Sequence, residues 1–311
     1  MANLQTCLVG MEACGGAHHL ARMFKGMGHD VRLMAIQHVK PYTKAYKNDF
    51  NDAAGICEAV SRPHMNFVSI KTIAQQEILA LHNDRSRLVG ERTALSNGMR
   101  GLLLEHGITL PQGIHKIIPL ITVLLDEEVE DITPTLKHLL TDMLEDFRHK
   151  GTLIKKRDDQ LKALAKSHAQ VRQLMTIPGI GVIVATAFVG KVGDVNVFKN
   201  GRQLAAWLGL VPQQYSTGGK VQLGRISKRG DRYLRSLLVH GARSVLKVIK
   251  HKDNLPPLMM WLKKLAERRG HNKSIVAFAN KIARVAWALL SHGTDYQDHY
   301  KMVPSIKKSV A

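Results

Sequence analysis

Residues 175–194 read MTIPGIGVIVATAFVGKVGD, residues 198–212 read FKNGRQLAAWLGLVP, and residues 213–246 read QQYSTGGKVQLGRISKRGDRYLRSLLVHGARSVL. In that order they join a glycine hairpin, a Gly-Leu-Val-Pro turn, hydroxyls beside paired glycines, and a dense basic helix. Ile177-Pro178-Gly179-Ile180-Gly181 lies between two helical patterns. Glycines let the backbone turn sharply and leave N–H groups at the start of the next helix, where the macrodipole attracts phosphate. Gly179 and Gly181 therefore read as a helix-hairpin-helix element that grips a nucleic-acid backbone without reading bases. A plain turn is the alternative for Pro-Gly taken alone. Together these parts predict a basic, mainly helical domain over residues 175–311.

The charge agrees. The chain has a formal net charge of +20, but residues 1–150 hold 16 Lys and Arg against 17 Asp and Glu, while residues 151–311 hold 29 against 8. Between Thr217 and Lys252 there are ten basic residues and one acid, Asp231. Such asymmetry points to a polyanionic partner for the second half, bound tightly and with strong salt dependence. A merely solvated basic surface is the bland alternative. At 311 residues, with 45% hydrophobic residues, two domains and a connector are expected. No apolar run reaches the ~20 residues of a membrane span, no secretory leader is evident, and three cysteines before residue 60 make no disulfide framework. The expectation is a cytoplasmic protein acting on nucleic acid, with no membrane partner. Cys7, Cys14 and His18 or His19 fit no standard zinc spacing.

Upstream, Leu4–Val9 and Val31–Ile36 read as strands, Gly15–Gly28 and Asp49–Val60 as helices, and Phe67–Ile70 as a third strand. That order predicts an α/β domain with a partly parallel sheet. From Thr72 to His106, Leu81, Leu88, Leu95 and Leu102 recur seven apart, and residues 116–174 continue helically, with interruptions expected near Pro134 and Gly151. Two long helices folding back would make a coiled-coil stalk. The leucine stripe is either hairpin core or an oligomer seam. The acidic DEEVED run at 126–131 reads as an exposed helix end or loop. Pro256 and Pro257 open a last helical section running to about Leu290.

Three sets of residues could carry chemistry. Ser216-Thr217-Gly218-Gly219-Lys220 lacks the first glycine of a Walker A loop. Its hydroxyls can instead approach a phosphodiester, with Arg225, Lys228 and Arg229 stabilising charge on phosphate. An ordinary β-turn explains the same residues. Arg232 and Arg235 extend the basic surface. Glu12 follows the first strand, and Asp49 and Asp52 share one face of a helix start. Such carboxylates either hold Mg²⁺ for phosphoryl displacement or complement a helix dipole.

Gly10-Met11-Glu12-Ala13-Cys14, Gln37-His38-Val39-Lys40-Pro41 and Lys47-Asn48-Asp49-Phe50-Asn51-Asp52-Ala53 resemble the N-terminal domain of DEDD-type insertion-sequence transposases, relatives of the Piv and MooV invertases. Gly209-Leu210-Val211-Pro212, Ser216–Lys220 and Ile226–Arg235 resemble that family's C-terminal domain. The resemblance implies a RuvC-like, ribonuclease-H-type domain that binds Mg²⁺ through four carboxylates, of which Glu12, Asp49 and Asp52 match the last three. It also implies a serine nucleophile, mapped to Ser216, with Thr217 and Ser227 as neighbouring alternatives. Relatives form tetramers and use a structured guide RNA, so DNA, a possible element-encoded RNA and a homo-oligomer (dimer or tetramer) are the expected partners. Eleven residues precede Glu12 and none is acidic, so the family's first Asp has no counterpart and the RuvC-like domain is expected to be N-terminally truncated. The expected domains are a truncated RuvC-like metal-binding domain (1–71), a helical coiled-coil stalk (72–174) and a basic transposase domain (175–311). The expected function is DNA strand cleavage and exchange in transposition. The rivals are a catalytically defective DNA-binding remnant and a Holliday-junction-type nuclease using only the carboxylates.

Overall fold

The computed structural model describes residues 2–43, 48–126 and 132–297. It divides into two compact units, residues 1–76 with 192–197, and residues 77–191 with 198–311.

The first unit is a small α/β layer. Strand β1 (Leu8–Glu12) is followed by helix α1 (Ala17–Gly26) and strand β2 (Asp30–Met34), and the two strands pair in parallel with Leu8 opposite Asp30 and Glu12 opposite Met34. After the short helix α2 (Ile36–Val39), helix α3 spans Asp49–Val60, and strand β3 (Phe67–Val68) pairs antiparallel to β2. Successive strand residues face opposite sides. Leu33 packs with Ala17 and Ala21 of α1, whereas Met34 packs with Ala59 and Val60 of α3. The sheet is thus sandwiched between α1 and α3.

The first strand departs from the sequence expectation. It begins at Leu8 rather than Leu4 and runs through Gly10 to Glu12. Gly10 does not end it. A Cβ there would lie 2.9 Å from the Val60 Cβ, so the glycine is where α3 sits down on the strand.

The second unit is helical. Helix α4 (Ile73–Glu105) is followed by α5 (Ile117–Asp126) and α6 (Pro134–Ser167). Helices α4 and α6 run antiparallel: Asp84 pairs with Arg157, Arg85 with Asp158, and Glu91 with Lys150. At the far end Met99 and Leu103 join Ile117, Ile121, Leu140 and Leu144 in one cluster, against which Leu95 and Leu102 also pack. With Leu88 buried as well, this part of the leucine stripe lies inside the hairpin. Pro134 opens α6 with Thr133 as its cap, but Gly151 does not interrupt the helix. Residues 127–131 of the acidic run lie outside the described residues.

Helix α7 (Ala169–Met175) leads through the glycine turn into α8 (Val182–Val192), then α9 (Gly201–Trp207). Strands β4 (Pro212–Gln214) and β5 (Leu223–Ile226) form an antiparallel hairpin. Helices α10 (Arg232–Ile249), α11 (Pro257–Arg269) and α12 (His271–His292) complete the unit. The single helical section expected after Pro257 is two helices, because Gly270 adopts φ 82° between them. Helix α12 is long and apolar enough to cross a membrane by length and composition. Here it buries Ile275, Phe278, Ile282 and Ala286 and packs on α9, α10 and α11, as the core helix of a globular unit does.

Candidate nucleic-acid interface

Helix α10 is strongly amphipathic. Leu234, Leu238, Ala242, Val245 and Ile249 face the core, while Ser236, His240, Arg243, Lys247 and Lys250 recur at helical spacing on the exposed face. Asp231 caps its N-terminus by accepting from the Leu234 N–H at 2.7 Å, and pairs with Lys191 at 3.0 Å. The one acid of the basic stretch is therefore occupied in structure.

The glycine turn between α7 and α8 rests on this helix. Gly179 has φ 89°, and a Cβ on Gly241 of α10 would lie 2.0 Å from the Gly179 carbonyl oxygen. Gly181 is exposed, and its carbonyl accepts from Ala185 at the start of α8. Helix α7, the glycine turn and helix α8 follow one another where the helix-hairpin-helix element was expected, and the turn is anchored to the basic helix.

Two sequence motifs interlock just before α10. Ser227 N–H donates to Val211 C=O at 2.8 Å and Lys228 N–H to Gly209 C=O at 3.1 Å. Gly209 and Gly230 both have positive φ, and a Cβ on Gly230 would lie 1.8 Å from the Trp207 carbonyl oxygen. Lys228 itself has φ 54°. Gly-Leu-Val-Pro and Ser-Lys-Arg-Gly are thus two sides of one close backbone crossing, which leaves the Lys228 and Arg229 side chains exposed.

Between them the β4–β5 hairpin projects. Its tip is a turn in which Lys220 N–H donates to Thr217 C=O at 3.0 Å, with Gly218 at φ 55° and Gly219 at φ 76°. Two positive φ values at the central positions are the mark of a type I′ turn, which glycines satisfy without strain. The β-turn reading of this motif is therefore correct as local structure. Ser216 stands directly beside it, half-buried, and its Oγ accepts from Gln214 Nε2 at 3.1 Å and from Gln222 N–H at 3.2 Å. From Pro212 to Gly230 there is no acidic residue, while Lys220, Arg225, Lys228 and Arg229 are all exposed. Arg232 is exposed too, but Arg235 is half-buried and donates to the Leu208 C=O at 2.9 Å.

The carboxylates lie in the first unit. Glu12 ends β1, and Asp49 and Asp52 occupy the first turn of α3 behind the Asn48 cap. No group of three or more His, Cys, Asp or Glu side chains gathers as a metal site requires, among the described residues. Among the contacts between β1 and α3, Gly10 packs on Val60. At a rise of about 1.5 Å per residue, Asp49 lies roughly 16 Å along the helix axis from that contact. The three acids do not by themselves fit a Mg²⁺ centre.

One buried constellation escaped the sequence reading. His82 of α4 and Thr186 of α8 are both fully buried. Thr186 Oγ donates to Val182 C=O at 2.7 Å, so it accepts from His82 Nε2 at 2.9 Å, and His82 Nδ1 accepts from the Tyr233 hydroxyl at 3.0 Å. Desolvation, then Arg85 and Lys191, lower the His82 pKa to about 4, against an opposing pull from Asp158. Burial likewise raises the Tyr233 pKa. This neutral chain ties the first turn of α10 to α4 and α8. No sequence spacing links residues 82, 186 and 233.

Residues 171–254 match the model of the IS116/IS110/IS902 transposase family, and residues 1–108 match a DEDD transposase model of the IS110 group. The chain is 44% identical to the transposase of insertion sequence element IS1111A from Coxiella burnetii over 297 residues, 96% of this chain and 81% of the relative. The chain belongs to the IS110/IS116 family of transposases. It is similarly 45% identical to a probable family 20 transposase of Pseudomonas aeruginosa, covering 94% of this chain and 87% of that protein. The IS1328 transposase of Yersinia enterocolitica is 42% identical, over 94% and 86%. Transposases cut and rejoin DNA, so DNA is this transposase's substrate. The match over residues 171–254 spans the glycine turn, the β-hairpin and all of α10. The match over residues 1–108 spans the α/β unit, and its family implies a RuvC-like domain and divalent-metal use.

Proposed function

We propose that this transposase grips DNA phosphates with the surface formed by α10, the glycine turn and the β4–β5 hairpin, and breaks the strand with the hydroxyl of Ser216. The observation that carries this reading is the setting of Ser216. Its oxygen is held by two N–H donors, in a hairpin free of acids and flanked by exposed Lys220, Arg225, Lys228 and Arg229. N–H groups aimed at an oxygen stabilise negative charge on it, and the surrounding cations stabilise charge developing on phosphate. The Gln214 amide must swing away to free a lone pair, whereas the Gln222 N–H is fixed by the hairpin. In the proposed step, Ser216 Oγ gives up its proton and bonds to phosphorus, the strand's P–O bond breaks, and the leaving oxygen takes up a proton to become a free hydroxyl. The result is a serine–DNA ester that conserves the bond for rejoining.

A hydroxyl is weak at its ordinary pKa and needs an activating group. The family suggests a divalent metal for that task, Mg²⁺ by its donor class. Among the described residues, Glu12, Asp49 and Asp52 do not assemble a centre on their own. A guide RNA and a dimeric or tetrameric assembly belong to the same proposal.

The test is a denaturing gel with end-labelled DNA carrying the element's junction. The expected outcome is a protein–DNA adduct that disappears in Ser216→Ala while duplex binding persists. An adduct retained in Ser216→Ala and lost in Thr217→Ala or Ser227→Ala would move the nucleophile. Cleavage without any adduct would favour the carboxylate-only nuclease.

A further inference from the structure

Tyr215 lies one residue before Ser216 and on the opposite face of strand-like backbone. It is a large aromatic side chain left 61% exposed. The ring is not loose. A Cβ on Gly224 of the facing strand would stand 3.3 Å from Tyr215 Cε2 and 3.6 Å from Gln213 Cβ. The Cε2 edge of the ring thus lies against the space that a side chain on Gly224 would fill. Its hydroxyl donates to Gln213 Oε1 at 2.9 Å, and its backbone N–H donates to Gln222 C=O at 2.9 Å. The hydroxyl and the backbone are both held, and most of the ring is left open to solvent.

We propose that Tyr215 is a stacking platform for an unpaired base of the DNA strand. The inference rests on the reading of the surrounding surface as a phosphate grip, and adds to it the recognition of a nucleobase outside the duplex. Two observations meet here. The aromatic ring is held through its hydroxyl and left largely open to solvent. It belongs to a segment that carries exposed Lys220, Arg225, Lys228 and Arg229 with no acid between residues 212 and 230, the charge that a phosphate chain complements. Single-strand binding sites combine these elements, a cationic track for the backbone and aromatic faces for successive bases. The reaction supplies the ligand, because a strand that leaves one duplex for another exposes base faces on the way. Tyr215 and Ser216 point to opposite sides of the strand, so the platform holds a base beside the cleaved phosphate and not at it.

The experiment uses the full chain with a short single-stranded DNA carrying 2-aminopurine, an RNA of the same sequence, and the matching duplex. Stacking quenches the probe base. The expected result is quenching by wild-type protein and by Tyr215→Phe, and its loss in Tyr215→Ala. Single-strand affinity of Tyr215→Ala should fall roughly five- to hundredfold, the range for one base–aromatic stack. Its duplex affinity, carried by phosphate contacts, should change less than about twofold, which also certifies folding. Equal losses for single strand and duplex would overturn the platform, as would a Tyr215→Phe protein as weak as Tyr215→Ala. Tyr215-dependent binding confined to the RNA would overturn its assignment to DNA. Wild-type protein that binds duplex but not single strand sinks the platform and spares the phosphate grip. Failure to bind either removes both.

Discussion

At the scale of single residues, the second unit depends on a few positions that admit no substitute. Gly230 meets the Trp207 carbonyl and Gly241 meets the Gly179 carbonyl at distances that exclude any side chain. Gly218 and Gly219, by contrast, have open space around them and are held to glycine by positive φ alone. His82 is the residue with a pH consequence. In the folded protein its pKa is about 4, chiefly because burial disfavours the charged ring, whereas the unfolded chain should titrate near about 6.5. Between those values the unfolded chain binds the proton and the folded one does not. Stability is therefore fully present above about pH 6.5 and falls as the pH drops toward 4. The full effect is on the order of 3 kcal/mol. His18, also lowered by burial and by Lys71 and Arg22, adds a contribution of the same sign. Glutamine at position 82 can still donate to Thr186 and accept from Tyr233 without titrating. His82→Gln should flatten the dependence of unfolding free energy on pH across this window, at some cost at pH 7. An unchanged slope in urea titrations would place the titrating group elsewhere.

At the scale of elements, helix α3 carries the open question of the acids. Asp49 and Asp52 sit in its first turn, where carboxylates complement the positive end of the helix. Asp49→Asn, unfolded chemically in the presence of a chelator, should lose about 0.3–1 kcal/mol if the dipole is what the acid serves. A metal cluster emptied of its ion predicts the reverse sign, because removing one of several crowded like charges relieves repulsion. A measured gain in stability would return the acids to the metal reading. The bounds of α3 were legible in the sequence because its apolar positions keep helical spacing from Asp49 to Val60. The leucine stripe of α4 was equally legible, but its destination was not, since hairpin core and oligomer seam present one pattern. Gly151 misled in the other direction. Its missing side chain faces open space within α6, and a single helical glycine costs only about 1 kcal/mol, which 34 residues of packed helix absorb. In the candidate site, the basic residues and the Ser-Thr-Gly-Gly turn could be read directly. The His82–Thr186–Tyr233 chain could not, because its members are brought together by three helices whose packing no local pattern encodes.

At the scale of the whole molecule, charge is sorted along the chain. Residues 151–311 carry 29 Lys and Arg against 8 acids, and nine of the ten basic residues between Thr217 and Lys252 are exposed. The tenth, Arg235, is half-buried with its guanidinium on the Leu208 carbonyl at the end of α9. Sequence alone grouped Arg235 with the DNA contacts, since side-chain destination is invisible in a run of basic residues. Binding to duplex DNA should weaken steeply with salt as condensed counterions are released, by about 0.9 log units per log unit of salt for each phosphate neutralised. If half to all of the nine exposed cations engage, the slope lies between roughly −4 and −8. Arg232→Ala and Lys247→Ala should each make it shallower by about one, uniformly across sequences, without changing stability. Arg235→Ala should behave oppositely. It strips a partner from the carbonyl of buried Leu208, costs about 1–3 kcal/mol of folding stability, and leaves the salt slope unchanged. Salt titrations of the three variants beside their urea midpoints test both statements. A flat salt response in the unmodified protein would remove the phosphate grip, and a shallower slope in Arg235→Ala would restore that residue to the DNA surface.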